Sequence, residues 1–144
     1  MGIAVQVTFD CADPDALARF WAAALDYKLD DPPEGYDSWQ DFLKDVGVPE
    51  DKWNSASAIS DPAGSGPRIY FQQVPEPKSA KNRVHLDVNV GGGRKRPLEE
   101  RRATVHAAAE RLTGLGATKL YEQDEQDEFH ITMQDPEGNE FCLQ

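Results

Sequence analysis

The sequence predicts an α+β fold: two tandem βαβββ modules whose curved sheets form an open, barrel-like groove, with helices on the outer face. Three observations lead there. The apolar periodicities read strand, helix, three strands in each half of the 144-residue chain. An Asp-Pro-x-Gly turn precedes the last strand of both halves, as Asp61-Pro62-Ala63-Gly64 and Asp135-Pro136-Glu137-Gly138. Residues 83–90 alternate strictly, with Val84, Leu86, Val88 and Val90 opposite Arg83, His85, Asp87 and Asn89. A period of two places one row on a core and the other toward water or a wet cavity.

In order, Ile3, Val5, Val7 and Phe9 form the apolar row of a first strand, opposite Gln6 and Thr8. Asp13-Pro14-Asp15 is a helix start, with an N-cap, a proline at the first helical position and an acid facing the dipole. Leu17, Phe20, Trp21, Ala24 and Leu25 then make one apolar stripe. Tyr27-Lys28-Leu29 reads as a short strand. Between Asp37 and Gly47, the spacing of Trp39, Phe42, Leu43 and Val46 predicts an inserted amphipathic helix. It is a candidate cover for a pocket mouth, where Trp39 or Trp53 would touch ligand; plain packing is the competing reading. Strands follow over 55–60 and from Arg68 to Val74, and Pro75–Ala80 is an extended joint.

The second half follows the same plan after the strand over 83–90. Gly91-Gly92-Gly93 lacks the spacing of a phosphate-cradling loop, and Arg94, Lys95, Arg96, Arg101 and Arg102 form a basic cluster at a helix start. The helix spans Leu98 to Thr113, with Val105, Ala108, Ala109, Leu112 and Leu115 as its stripe. A strand over Thr118–Tyr121 leads into an acidic, solvated loop from Glu122 to Glu128. Phe129, Ile131 and Met133, then Phe141 and Leu143, mark the last two strands. The chain is thus read as a single domain, residues 1–144, with modules at about 1–76 and 82–144.

A formal charge of −11 disfavours nucleic acid and anionic membranes as partners. No apolar run is long enough for a transmembrane helix. The first strand has none of the blocks of a signal peptide, and the two cysteines, Cys11 and Cys142, make neither a disulfide framework nor a zinc ribbon. A reduced, cytoplasmic protein is expected. The polar rows facing the groove contain Gln6 and Thr8, Tyr70 and Gln72, His85, Asp87 and Asn89, His130 and Thr132, and Glu140 and Cys142. Histidine, amide, tyrosine and cysteine there, rather than lysine and glutamate, suggest a cavity wall.

The segments Asp13-Pro14-Asp15-Ala16-Leu17-Ala18-Arg19-Phe20-Trp21, Lys81-Asn82-Arg83-Val84-His85-Leu86-Asp87, Leu115-Gly116-Ala117 and Asp135-Pro136-Glu137-Gly138-Asn139-Glu140-Phe141 together resemble the vicinal oxygen chelate superfamily. Glyoxalase I, bleomycin- and fosfomycin-resistance proteins and extradiol dioxygenases belong to it; the chain is most similar to the compact glyoxalase-like domains of bacteria. The resemblance spans essentially the whole chain and implies two modules around a ligand cavity. It leaves the reaction open, because the superfamily holds isomerases, lyases, thiol transferases, dioxygenases and binding proteins. In metal-dependent members the ligands, usually His, Gln or Glu, come from the first and last strand of each module. The matching positions here are Gln6 and His85, then Tyr70 and Cys142, where a carboxylate is usual. Two neutral side chains hold a divalent cation weakly. The resemblance therefore implies a degenerate or absent metal site, with Gln6, His85 and Cys142 the candidate ligands should a divalent metal bind.

The expected function is binding of a small oxygenated molecule between the modules by Gln6, Thr8, Tyr70, Gln72, His85, Asp87, His130 and Cys142. A lyase or isomerase would use His85 as its catalytic acid or base, beside Asp87 or Glu140, since histidine ordinarily titrates near neutrality. A binding or resistance protein that sequesters its ligand is the alternative. A third reading is an association module, with a homodimer as its form.

Overall fold

The computed structural model describes residues 1–144, which fall into two compact units, Met1–Pro77 and Lys78–Gln144. The first contains β1 (Val7–Cys11), α1 (Pro14–Leu25), β2 (Lys28–Leu29), α2 (Trp39–Asp45), β3 (Ala56–Ser60) and β4 (Ile69–Gln73). The second contains β5 (Leu86–Val88), α3 (Leu98–Gly114), β6 (Thr118–Glu125), β7 (Glu128–Gln134) and β8 (Glu140–Leu143). Each unit is an open four-stranded sheet, in the orders β1-β4-β3-β2 and β5-β8-β7-β6. The first strand lies parallel to the last, and the remaining pairs are antiparallel. The registers also correspond: Thr8 sits opposite Tyr70 as Asp87 sits opposite Cys142.

The α1 helix starts where the sequence says it should. Asp13 Oδ1 accepts a hydrogen bond from Ala16 N at 3.1 Å, and Pro14 opens the first turn without wasting a donor. Its buried stripe of Leu17, Phe20, Trp21 and Ala24 packs on β3 and β4. Phe9 stands edge-on to both Trp21 and Phe71, with ring centroids 5.3 and 5.4 Å apart. Fully burying such a side chain contributes about 1.5–3 kcal/mol, so this aromatic cluster holds the helix on one face of the sheet. In the second unit, Val105, Ala109 and Leu112 of α3 are buried, and the helix packs mainly on β7, whose core row is Phe129, Ile131 and Met133.

The two Asp-Pro-x-Gly turns are the same device. In each, the glycine N–H donates to the aspartate carbonyl at 2.9 Å, and Gly64 and Gly138 have φ of +74° and +86°. In each, the aspartate carboxylate accepts backbone N–H bonds from the turn: Asp61 from Ala63, Ser65 and Gly66, and Asp135 from Glu137 and Asn139.

Four details of the elements differ from expectation. β1 begins at Val7, leaving Ile3 95% and Val5 76% exposed, because its ladder with β4 starts at the Val7–Ile69 pair. β5 is only Leu86–Val88, and Val84 is 81% exposed. Ahead of the Leu86–Phe141 pair, the Asn82 side chain takes over, accepting from Glu140 N and donating to Glu140 O. The acidic stretch from Glu122 is no loop: β6 runs on to Glu125 and turns through Gln126 and Asp127 into β7. It is solvated as expected, since all eight residues of β6 are exposed. Leu115 lies outside the core because α3 ends there; Ala117, whose N–H reaches back to Leu112 O, fills the buried position instead. No helix is long and apolar enough to cross a membrane.

Candidate functional site

The predicted site residues fall into two groups, one in each unit. In the second unit, β5 and β8 lie side by side, so Asp87 and Cys142 are cross-strand neighbours, with Thr132 of β7 next in the row. His85 precedes β5 and points the same way. Its Nε2 is 3.3 Å from Asp87 Oδ1, closer than the two-residue step along a strand requires, because the side chains lean together. The His85 nitrogen, an Asp87 oxygen and the Cys142 sulfur all lie within 4.8 Å of one another, with His85 and Asp87 exposed and Cys142 half-buried. Cys142 Sγ also meets Thr132 Oγ1 at 3.4 Å.

Asp87 supplies the anionic donor that the positional comparison alone did not offer. Imidazole, carboxylate and thiol make a borderline-soft set that suits zinc or another late first-row divalent cation better than magnesium or calcium. Glu140, the other candidate partner for His85, is occupied by an ion pair with Lys81. That pairing holds the Lys81 ammonium above the ordinary lysine range. His130 is half-buried on the same face as Thr132, paired in register with Gln123.

The second group surrounds a cavity of about 930 Å³ in the first unit. Ala56 and Ala58 of β3 and Tyr70 of β4, the strand partner of Ala58, line it, and Asp15 and Arg19 of α1 contribute to its edge. The small side chains leave the space. The inserted segment walls it: Pro32, Trp39 and Leu43 on one side, Val48 and Trp53 on another. Helix α2 is capped by Ser38, whose Oγ accepts from Asp41 N at 3.1 Å. Asn54 ties the far end of the insertion to the start of α1, donating to Asp13 Oδ1 and accepting from Asp15 N. The inserted segment lines this first-unit cavity, with Trp39 and Trp53 among its lining residues, whereas the sequence reading placed the ligand between the modules.

Asp30 organises the rim. Its carbonyl accepts from Trp39 Nε1 at 2.8 Å, and its carboxylate takes Ser60 Oγ at 2.7 Å and Arg68 Nε at 2.9 Å. Arg68 also donates to Gln6 Oε1 at 3.0 Å and lies 5.8 Å from the Tyr70 ring centroid. Gln6 is therefore engaged by Arg68, while Thr8 and Gln72 are exposed strand neighbours of Tyr70 and Asp10. Arg68, Leu43, Ala56 and Ala58 were not among the predicted site residues. The signal was present in two alanines opposite a glutamine and a tyrosine on a half-polar strand pair.

The four arginines of the second unit's basic cluster are engaged internally. Arg94 pairs with Glu128, Arg96 with Glu100, and Arg102 with Glu99 and Asp124, while Arg101 donates to Asp127 O. Arg101 and Arg102 thereby fasten α3 to the acidic hairpin, and Arg94 ties the preceding loop to β7.

The sequence matches the glyoxalase-like domain family over residues 6–144. The chain belongs to this family. Solved structures show the same fold for the glyoxalase-like chain at low identity. A glyoxalase/bleomycin resistance protein/dioxygenase family enzyme from Burkholderia phytofirmans has a TM-score of 0.61 at 14% identity, covering 96% of this chain and 94% of its own. A fosfomycin resistance protein, FosX, from Listeria monocytogenes, solved as a variant with Mn(II) and 1S,2S-dihydroxypropylphosphonic acid, has a TM-score of 0.61 at 14% identity, with 99% and 87% covered. A bleomycin-binding protein from Streptomyces verticillus, complexed with copper(II)-bleomycin, has a TM-score of 0.54 at 11% identity, with 99% and 95% covered. No curated protein matches the sequence.

Proposed function

We propose that this glyoxalase-like protein binds a small organic molecule in the cavity of its first unit. The observation that carries the reading is the cavity itself: about 930 Å³, lined by two alanines and walled by a tied-down insertion. That volume lies within the range of ligand pockets, and the lining combines aromatic and aliphatic side chains with polar and charged ones. The reading is supported by two proteins of the same fold that were solved with copper(II)-bleomycin and with a phosphonate. Leu43→Trp, on a half-buried wall position, fills the space from the side of α2. Saturable ligand binding in the unsubstituted protein, lost in Leu43→Trp at unchanged unfolding temperature, is the expected result. Equal binding by both proteins would sink the proposal.

A second reading is favoured by the His85, Asp87 and Cys142 cluster: a lyase or isomerase in which His85 moves a proton next to a carbonyl while Asp87 orients the imidazole. Were a divalent cation held by the three side chains instead, it would act as a Lewis acid on a substrate oxygen, and His85 would serve as a ligand and not as the base. Calorimetric titration with Zn²⁺ then gives one site per chain, lost in both His85→Ala and Cys142→Ala. An unchanged isotherm in either variant removes the metal from this reading.

A further inference from the structure

We infer that the ligand of the first-unit cavity is a flat aromatic molecule carrying one anionic oxygen group, stacked against the indoles and anchored at Arg68 and Tyr70. The inference rests on the cavity being a binding site and names what it takes.

The two indoles of the wall present ring faces, not hydrogen-bond donors. Trp39 Nε1 is spent on Asp30 O at 2.8 Å, and Trp53 Nε1 on Val48 O at 2.9 Å. A tryptophan whose one polar atom is tied to backbone has a fixed ring and offers only its π-face and its apolar edge. Trp39 is still 43% exposed although it carries that bond. Its ring partner is Phe42, at 5.9 Å and nearly edge-on. Such a ring is preorganised toward empty space.

Asp30, Arg68 and Tyr70 meet at one part of the rim. Arg68 uses Nε on Asp30 and Nη1 on Gln6, leaving Nη2 as the donor those partners do not take. Its guanidinium lies beside the ring of Tyr70, another lining residue, whose hydroxyl group can also donate. The other charged groups of the lining are Asp15, paired with Arg19 at 3.0 Å, and Lys52. The lining therefore has three cations, Arg19, Lys52 and Arg68, against two acids, Asp15 and Asp30, in a chain whose formal charge is −11. With Arg19 and Arg68 ion-paired to Asp15 and Asp30, Lys52 leaves the lining one positive charge in balance, opposite in sign to the chain as a whole. Guanidinium geometry suits a carboxylate or similar oxyanion, and the indoles suit a planar ring.

The test uses the full chain, 2-naphthoate as probe, and the three indole N–H resonances, one from each of Trp21, Trp39 and Trp53. Three results are expected. First, 2-naphthoate shifts the Trp39 and Trp53 signals but not that of Trp21, which is buried in the core. Second, the saturated decahydro-2-naphthoate binds about tenfold more weakly, the scale of one lost aromatic stack. Trp39→Leu, which keeps apolar bulk on an exposed position, abolishes that difference. Third, Arg68→Gln weakens 2-naphthoate about tenfold and leaves the uncharged methyl 2-naphthoate unchanged. Equal affinity for the planar and saturated acids, with shifts still at Trp39 and Trp53, overturns the aromatic class and leaves the cavity reading standing. No shift with any of the three probes overturns both.

Discussion

Asp135→Ala measures how much of the second unit depends on one buried carboxylate. Asp135 is 3% exposed. Its Oδ1 accepts from Glu137 N at 2.9 Å and Asn139 N at 3.0 Å, and both oxygens take the Asn139 amide, at 3.2 and 2.9 Å. Hydrogen bonds to a charged group contribute about 1.5–3 kcal/mol each, and an orphaned donor costs about 1–3 kcal/mol. Glu137 and Asn139 are half-buried, so water recovers part of the loss. Two backbone donors lost together then cost about 3–4 kcal/mol, or roughly 10 °C in Tm. Urea unfolding followed by far-UV circular dichroism reads the total, and amide exchange at Glu137 and Asn139 reads the site. Asp135→Asn, which keeps one acceptor, is expected to lose about half as much. A loss below about 1 kcal/mol in Asp135→Ala refutes the reasoning and makes the turn backbone, not the carboxylate, responsible.

Asp61 makes the same turn in a more exposed position. Backbone N–H bonds, first from Ala63 and Gly66, hold its carboxyl below the ordinary aspartate range. A depressed carboxylate stabilises above its unfolded value, near pH 3.9, and that contribution fades as pH falls through the folded value. Asp61→Asn should thus be less stable than the parent by a constant amount above about pH 5, with the two curves converging under acid; a gap that widens on acidification contradicts the assignment. Ser38→Ala removes the cap of α2 and should cost about 1 kcal/mol locally, read as faster amide exchange at Asp41 and a shifted Trp39 indole signal. Unaltered exchange at Asp41 would mean that packing alone holds this seven-residue helix.

Much of the fold was legible because the chain states it twice. Strand, helix and turn order, the capped α1 and the buried rows of β4, β7 and β8 follow from periodicity and local chemistry, which read the same in both halves. Strand ends did not follow. Val5 and Val84 continue the alternation past the point where a neighbouring strand exists to receive them, and alternation carries no information about the partner's length. The extent of β6 was hidden for the opposite reason. Its acidic residues lack strand propensity, and only the pairing with β7 draws them into the ladder. At the site, His85, Asp87 and Cys142 were each visible as polar members of strand rows, but their convergence depends on a register no single strand shows. The aromatic cavity was half legible: the insertion was seen and Trp39 and Trp53 were named. That Arg68 completes the rim depends on Asp30, far away in sequence, holding it there.

The hairpin of β6 and β7 carries a consequence for self-association. β6 is the outermost strand of its sheet, eight residues long and exposed throughout, with Leu120 and Tyr121 showing apolar surface. A long unpaired edge is a template for another chain, and natural edges are blunted by charge. Glu122, Asp124 and Glu125 sit on this edge, and the Lys119 bond keeps Glu122 ionised below the usual glutamate range. Two chains approaching edge to edge bring these carboxylates together before any backbone bond can form. The acidic run thereby acts as an electrostatic guard on the open strand, and acid or high salt would lower it.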